Sequence, residues 1–205
     1  MASYISEQIT DMEKFFRINL INSIGGYKPV NLLGTINNLG ITNLCVVSSV
    51  FHLGANPPLM GMVMRPQRPN NDSLNNIRLT GQYTLNNVSA AWYNNAHQTS
   101  AGYSSGVSEF EECGFGTYYH AGFNAPYVAE SAIKIGLEIA ETIDISHNGT
   151  TLVIGKVVQI ITDDDIIGAD GAADHEKAQS MVVSGLDSYC VPFMVGKLGY
   201  AKPGQ

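Results

Sequence analysis

From Ile133 the chain alternates: Ile133, Ile135, Leu137, Ile139, Ile143 and Ile145 are interleaved with Lys134, Gly136, Glu138, Ala140, Thr142 and Asp144. Strand side chains point to opposite faces in turn, so this pattern describes a half-buried strand. His147-Asn148-Gly149-Thr150 follows, and Asn-Gly accepts the positive φ of a tight hairpin turn at little cost. Leu152 to Ile161 then returns as the partner strand.

A second hairpin lies nearer the start. Val30 to Asn37 is extended, Asn38-Leu39-Gly40 turns, and Ile41 to Ser49 returns. Before it, residues 6–21 predict one short helix that Ser6 can cap, with Ile9, Met12, Phe15 and Phe16 at helical spacing. After it, Gly54, Asn56 and Pro57-Pro58 predict an irregular loop, and Leu59 to Arg65 the next strand. Pro66 to Asn71 reads as loop. Asp72 or Ser73 caps a helix to Leu79, Gly81 ends it, and Tyr83 to Val88 is a strand. Residues 90–123, rich in Gly, Ser, Asn and Tyr, form an excursion outside the sheet, with helical pattern only around Ala91–His97 and Ser108–Cys113. An arm over 163–205 closes the chain, with a short helix expected at Asp174–Met181. Antiparallel hairpins separated by short helices predict a mainly β fold with short helices, a small α+β barrel, in one domain over 1–205.

Composition narrows the function. With 205 residues, 44% of them hydrophobic, the chain can bury a sizeable core. Its formal net charge of −7 and lack of a basic tract argue against nucleic acid as a partner. A phosphorylated small molecule is still allowed, since local field decides binding in a pocket. No Lys or Arg lies between Lys28 and Arg65, nor between Arg78 and Lys134. A phosphate near the first half of the sheet can therefore draw only on Lys28, Arg65, Arg68 and Arg78. Cys45, Cys113 and Cys190 are odd in number and lack a CxxC pair, which reads as reduced core thiols. The N-terminus has no basic start followed by an apolar core, and no run is long enough to span a bilayer. The expectation is a cytoplasmic protein without a membrane partner, in which the sequons at Asn71, Asn87 and Asn148 carry no sugar.

Three short motifs fit poorly. Gly102-Tyr103-Ser104-Ser105-Gly106 matches the GxSxG elbow of serine hydrolases, but the polar residues before it do not make the required strand. A hydrolase using Ser104 is kept as a rival. Gly114-Phe115-Gly116 starts like a dinucleotide fingerprint, yet Tyr119 stands where the third glycine belongs. Asp163, Asp165, Gly168 and Asp174 echo a calcium loop, with Ile167 in place of an oxygen ligand. The five histidines show no pair at metal spacing.

The stretch with the most promising chemistry is Asn43 to Gly61, NLCVVSSVFHLGANPPLMG. An apolar strand ends abruptly at Ser48-Ser49, and Arg65 follows a few residues on. Hydroxyls, free backbone N–H groups and a guanidinium are what an oxyanion such as phosphate needs. A corner filled by turn-forming serines fits the same residues.

Taken together, Lys28-Pro29-Val30-Asn31-Leu32-Leu33-Gly34-Thr35, Thr42-Asn43-Leu44, Ser48-Ser49-Val50, Asn56-Pro57-Pro58-Leu59-Met60-Gly61, Arg65-Pro66 and Gly81-Gln82-Tyr83-Thr84-Leu85-Asn86 resemble the flavin reductase-like family of FMN-binding split barrels. Ala125-Pro126, Gly155-Lys156-Val157 and Asp187-Ser188-Tyr189 continue the resemblance to Tyr189. It implies a six-stranded antiparallel Greek-key barrel and a homodimer with FMN near the subunit interface. The implied cofactor contacts are Asn31, Thr35, Cys45, Val47, Ser48, Ser49, Val50, Phe51, His52 and Leu53, with Arg65, Asn86, Ser100 and Ala101. Cys45 stands where the family often has alanine. The implied activity is hydride transfer from NAD(P)H to the flavin, the flavin carrying the redox chemistry and no catalytic side chain being required. An FMN-binding electron carrier without nicotinamide activity is the alternative.

Overall fold

The structure, a computed structural model, describes residues 1–66, 72–104 and 106–204. Its elements in chain order are α1 (Ser6–Asp11), α2 (Lys14–Ser23), β1 (Lys28–Pro29), β2 (Asn31–Ile36), β3 (Thr42–Val47), β4 (Val50–Ala55) and β5 (Pro58–Met64). Then come α3 (Asp72–Thr80), β6 (Gln82–Asn87), α4 (Tyr93–Gln98), α5 (Glu109–Glu112), β7 (Thr117–Tyr118) and β8 (Tyr127–Val128). The long hairpin β9 (Ile133–Ile145) and β10 (Thr150–Thr162) precedes β11 (Val182–Ser184) and β12 (Ser188–Cys190).

The alternating segments form the two 13-residue strands β9 and β10, paired antiparallel around the Asn148-Gly149 turn. They sit in the middle of an antiparallel sheet of order β3-β2-β6-β9-β10-β5-β4. Its two edge strands, β3 and β4, are joined by Ser48-Ser49 alone. The three peptide steps from Val47 to Val50 reach at most about 11 Å, so the sheet must curl until its edges meet. Topology by itself thus makes a barrel.

Successive residues of β2 show how the wall is packed. Leu33 faces an inner core with Val50, Met62, Met64, Tyr83, Leu85, Leu137 and Val153, which Leu74 and Ile77 of α3 complete. Leu32 faces an outer core with Leu44, Val88, Ala96, Phe110 and Phe115. Each large side chain so buried contributes roughly 1.5–3 kcal/mol. The excursion is therefore a second layer over β2 and β3. At Gly34 an added Cβ would meet the Pro126 carbonyl and the Thr84 hydroxyl, so the wall and its outer layer approach too closely for a side chain.

Several boundaries differ from expectation. The segment 6–21 is two helices, because the Glu13 carboxylate accepts from Phe16 N at 2.9 Å and caps a fresh start. Ile5, not Ser6, holds the first cap position. The loop expected after Ser49 is a strand, its turn confined to Asn56-Pro57; the prolines sit where lost N–H donors do no harm. This strand raises the sheet to seven strands among the described residues, against six in the resemblance. The helix expected at Asp174–Met181 is a series of turns. Asp174 Oδ1 accepts from the amides of Glu176 and Lys177, and Gln179 takes a positive φ of 50°, which a helix does not tolerate. The closing arm pairs as strand only as far as β12, in a small sheet of order β1-β11-β12, and beyond it Met194 N donates to Glu176 and Lys197 pairs with Asp170. Arg68, the sequon at Asn71 and Ser105 lie outside the described residues. Among the described residues no helix is long and apolar enough to cross a membrane.

Candidate functional site

As an edge strand, β3 presents unpaired N–H groups along its outer side. The excursion caps two of them. Glu109 Oε2 accepts from Leu44 N at 3.0 Å, and Thr99 Oγ1 accepts from Val46 N at 2.8 Å. Farther back, Thr42 Oγ1 and Ser108 Oγ are 2.6 Å apart. Thr99 also donates to the Ala96 carbonyl at 2.7 Å, closing α4. The exposed pair Ser100 and Ala101 thereby follows directly from a residue anchored to β3 at Val46. Burial raises the Glu109 carboxyl pKa, partly opposed by the Leu44 N–H.

At the far end of β3 the corner takes shape. Ser49 Oγ donates to Val63 O at 2.8 Å, tying the link to β5 two residues before Arg65. Arg65 is exposed and makes no ion pair among the described residues. Lys28 opens β1, which lies against β4, and its Nζ donates to Asn22 O at 3.2 Å and Gly185 O at 2.9 Å. Both acceptors are carbonyls, so its charge stays uncompensated. Burial first and the nearby Arg65 second lower the Lys28 pKa. Of the other cations expected here, Arg78 is engaged by Asp144 at 3.1 Å.

β4 continues from the corner as an exposed edge. Phe51, His52 and Leu53 are exposed, and the Phe51 ring lies over Gly61, where any Cβ would collide with it. Asn31 sits across from Val47 in register. The structure thus gathers Asn31, Val47, Ser48, Ser49 and Arg65 near this corner, while Phe51, His52 and Leu53 run on along β4 and Ser100 and Ala101 follow Thr99.

Other expected contacts turn away from this surface. Thr35 is completely buried, its hydroxyl accepting from Asn76 Nδ2 at 3.1 Å. Asn86 is equally buried: its amide donates to Leu32 O and Thr84 Oγ1 and accepts from Val128 N, so its polar atoms hold the sheet together. The Val50 side chain belongs to the inner core. Cys45 lies against α3, its Sγ 3.3 Å from Ser73 Oγ, and burial pushes its thiol up to about 11. The resemblance places Thr99 in the loop 98–101, but the edge-capping roles of Thr99 and Glu109 do not follow from it. Their one sequence signal was the scatter of hydroxyl and acidic residues in the excursion, and capping partners distant in sequence carry no periodicity.

The rival motifs find no support. Ser104 is an exposed loop residue with no strand leading into it. Asp165 accepts from Lys177, and no His, Cys, Asp and Glu group among the described residues could hold a metal. Two open clefts, about 430 and 420 Å³, flank Glu111 and Glu112 near the start of β3. Their acidic lining disfavours a phosphate.

A curled antiparallel barrel with a polar corner flanked by cations defines a ligand-binding split barrel. Residues 27–177 match the flavin reductase like domain, and the chain belongs to that family. It is similar to a chain from Shewanella frigidimarina NCIMB 400, described as a candidate flavin reductase with split barrel domain: 42% identity, TM-score 0.94, covering 98% of this chain and 100% of that one. The fold is shared with nitrilotriacetate monooxygenase component B from Bacillus cereus, at 17% identity and TM-score 0.86, covering 97% and 98% of the two chains. Flavoredoxin of Desulfovibrio vulgaris (Miyazaki F) shares it at 21% identity and TM-score 0.69, covering 87% and 91%. None of the curated proteins matches the sequence significantly.

Proposed function

We propose that the protein is an FMN-dependent oxidoreductase that takes hydride from NADH or NADPH and passes electrons to an acceptor. The observation that carries this reading is the convergence of three separate segments. The Ser48-Ser49 link, the cation after β5 and the 99–101 loop held by Thr99 lie along the outer edge and far end of β3.

The residues fit the cofactor. Ser48 and the free backbone N–H groups of the link would donate to its phosphate, and Arg65 would offset the charge. The flavin when bound supplies hydride acceptance and electron transfer. The chain's own part is placement. Val47 and the Phe51 ring offer apolar surface to a flat aromatic system, while Ser100 and Ala101 offer backbone amides to a polar edge. No side chain has to move a proton.

A homodimer belongs to the same proposal. α1 and α2 have no buried residue, and Phe15, Phe16, Ile21, Ile24 and Tyr27 are exposed, as are Phe193, Met194 and Val195 of the tail. Helices of 6 and 10 residues do not hold themselves in water without packing, and a second copy would cover them. The three free cysteines suit the reducing cytoplasm.

The test is an absorbance spectrum of the purified protein, followed by nicotinamide oxidation with added FMN. Yellow protein with turnover supports the reading, and colour without turnover makes it an electron carrier. Failure to bind any flavin overturns it.

A further inference from the structure

α4 is only 6 residues long, and no side chain caps its first turn. A helix that short takes its orientation from what it touches, not from its own backbone. Ala96 is buried in the outer core, Asn95 Nδ2 donates to Cys113 O at 2.9 Å, and Thr99 holds Val46 N. Tyr93 and His97 stand four residues apart and so share a further face. Both meet the same residue, Tyr189 of β12. The Tyr189 ring centre lies 5.5 Å from that of Tyr93 and 5.6 Å from that of His97, the latter a T-shaped pair at 86°. Its hydroxyl is 3.0 Å from His97 Nδ1. Burial first and Asp187 second raise the Tyr189 pKa, so the hydroxyl keeps its proton and is placed to donate to the neutral imidazole. β12 itself is fixed, because Tyr189 stands across from Val183, which is buried in the outer core. The closing arm therefore grips α4 in its last turn, three residues before Ser100.

We propose that Tyr189 is a positioning residue of the flavin site: by bonding His97 and packing on Tyr93 it sets the angle of α4, and with it the place of the Ser100-Ala101 turn against the ring. This rests on the flavin reading above and adds to it a residue from the far end of the chain. Thr99 ties the turn to β3, and Tyr189 ties the helix before it to the closing arm. Tyr189 acts through α4, so its effect falls on the ring and not on the phosphate, which the Ser48-Ser49 link serves.

The test compares the wild type with Tyr189→Phe, His97→Phe and the double variant, each of which keeps the rings and removes the bond. Flavin-free protein is titrated with FMN and with riboflavin by flavin fluorescence, and the bound flavin is read by visible circular dichroism. The expected result is about three- to tenfold weaker binding in each single variant, the range of one hydrogen bond, by the same factor for FMN and riboflavin. The double variant should bind no more weakly than the weaker single variant, since both changes remove one bond, and the visible dichroism should change in all three. A merely structural Tyr189 would lower the melting temperature and leave affinity and dichroism as in the wild type, which overturns the proposal. Losses that multiply in the double variant, or a loss for FMN alone, overturn it too and leave the flavin reading standing. A wild type that binds neither flavin overturns the flavin reading itself.

Discussion

The Thr99 hydroxyl accepts the Val46 N–H at 2.8 Å and donates to the Ala96 carbonyl at 2.7 Å, so one buried side chain fixes both the edge of β3 and the end of α4. Thr99→Val keeps the shape and removes both bonds. It is expected to cost about 0.5–1.5 kcal/mol, the net value of a hydrogen bond whose N–H is only partly buried. Urea denaturation measures this, and Thr99→Ser should restore most of the loss. FMN affinity should fall in Thr99→Val as well, because Ser100 and Ala101 lose their anchor.

Ser48 and Ser49 should behave differently although they are neighbours. The Ser49 proton is committed to Val63 O, so Ser49→Ala should reduce stability by about 0.5–1.5 kcal/mol. Ser48→Ala should leave the melting temperature unchanged and weaken FMN binding about tenfold or more, the value of a charge-assisted bond of roughly 1.5–3 kcal/mol. Calorimetry and flavin titration of the two single variants separate these effects. Equal FMN affinity in Ser48→Ala and wild type would remove Ser48 from the phosphate site.

Glu109 gives the fold a pH dependence of definite sign. Its carboxyl pKa is raised in the folded protein, chiefly by burial. The native state therefore holds that proton more tightly than the unfolded chain, and stability falls as pH rises from the ordinary carboxylate range through the raised value. Glu109→Gln keeps an acceptor for Leu44 N without the buried charge, so unfolding between about pH 4 and 7 should show a flatter profile. Glu109→Ala should destabilise throughout, since Leu44 N–H then has no partner.

Gly34 separates packing from conformation, because it is buried and does not require positive φ. Gly34→Ala drives a methyl into the Pro126 carbonyl and the Thr84 hydroxyl, which are themselves hydrogen-bonded. The expected loss is about 1–3 kcal/mol by overpacking, read from denaturant midpoints.

Cys45 is a thiol at neutral pH, its pKa pushed up to about 11 by burial. Native protein should alkylate at Cys45 far more slowly than unfolded protein, as mass spectrometry of iodoacetamide-treated samples would show. Bound FMN should change that rate little, because the side chain faces Ser73 of α3.

The two hairpins were legible in the sequence because apolar and polar residues alternate along the strands, as in Ile133 to Leu137. The Ser48-Ser49 break was legible for the same reason, an apolar run stopping at two hydroxyls. β4 was not. His52, Gly54 and the proline pair look like loop, and only pairing with β5 makes a strand of them. Thr35 and Asn86 sit in segments that resemble a flavin site, yet a sequence cannot say which face of a strand a polar residue takes when both faces are covered. Here both residues turned inward and found polar partners. Thr99 and Glu109 escaped because edge capping joins residues 53 and 65 positions apart.

The link between β3 and β4 has one more consequence. It is the seam where the rolled sheet shuts, since both margins of the sheet meet at Ser48-Ser49. Any molecule lodged there acts as a staple across that closure, and prying the margins apart would first require its departure. Heat resistance should therefore climb with cofactor concentration, by about 2.7 kcal/mol at a hundredfold excess over the dissociation constant, and the first place to loosen in the bare protein should be this joint.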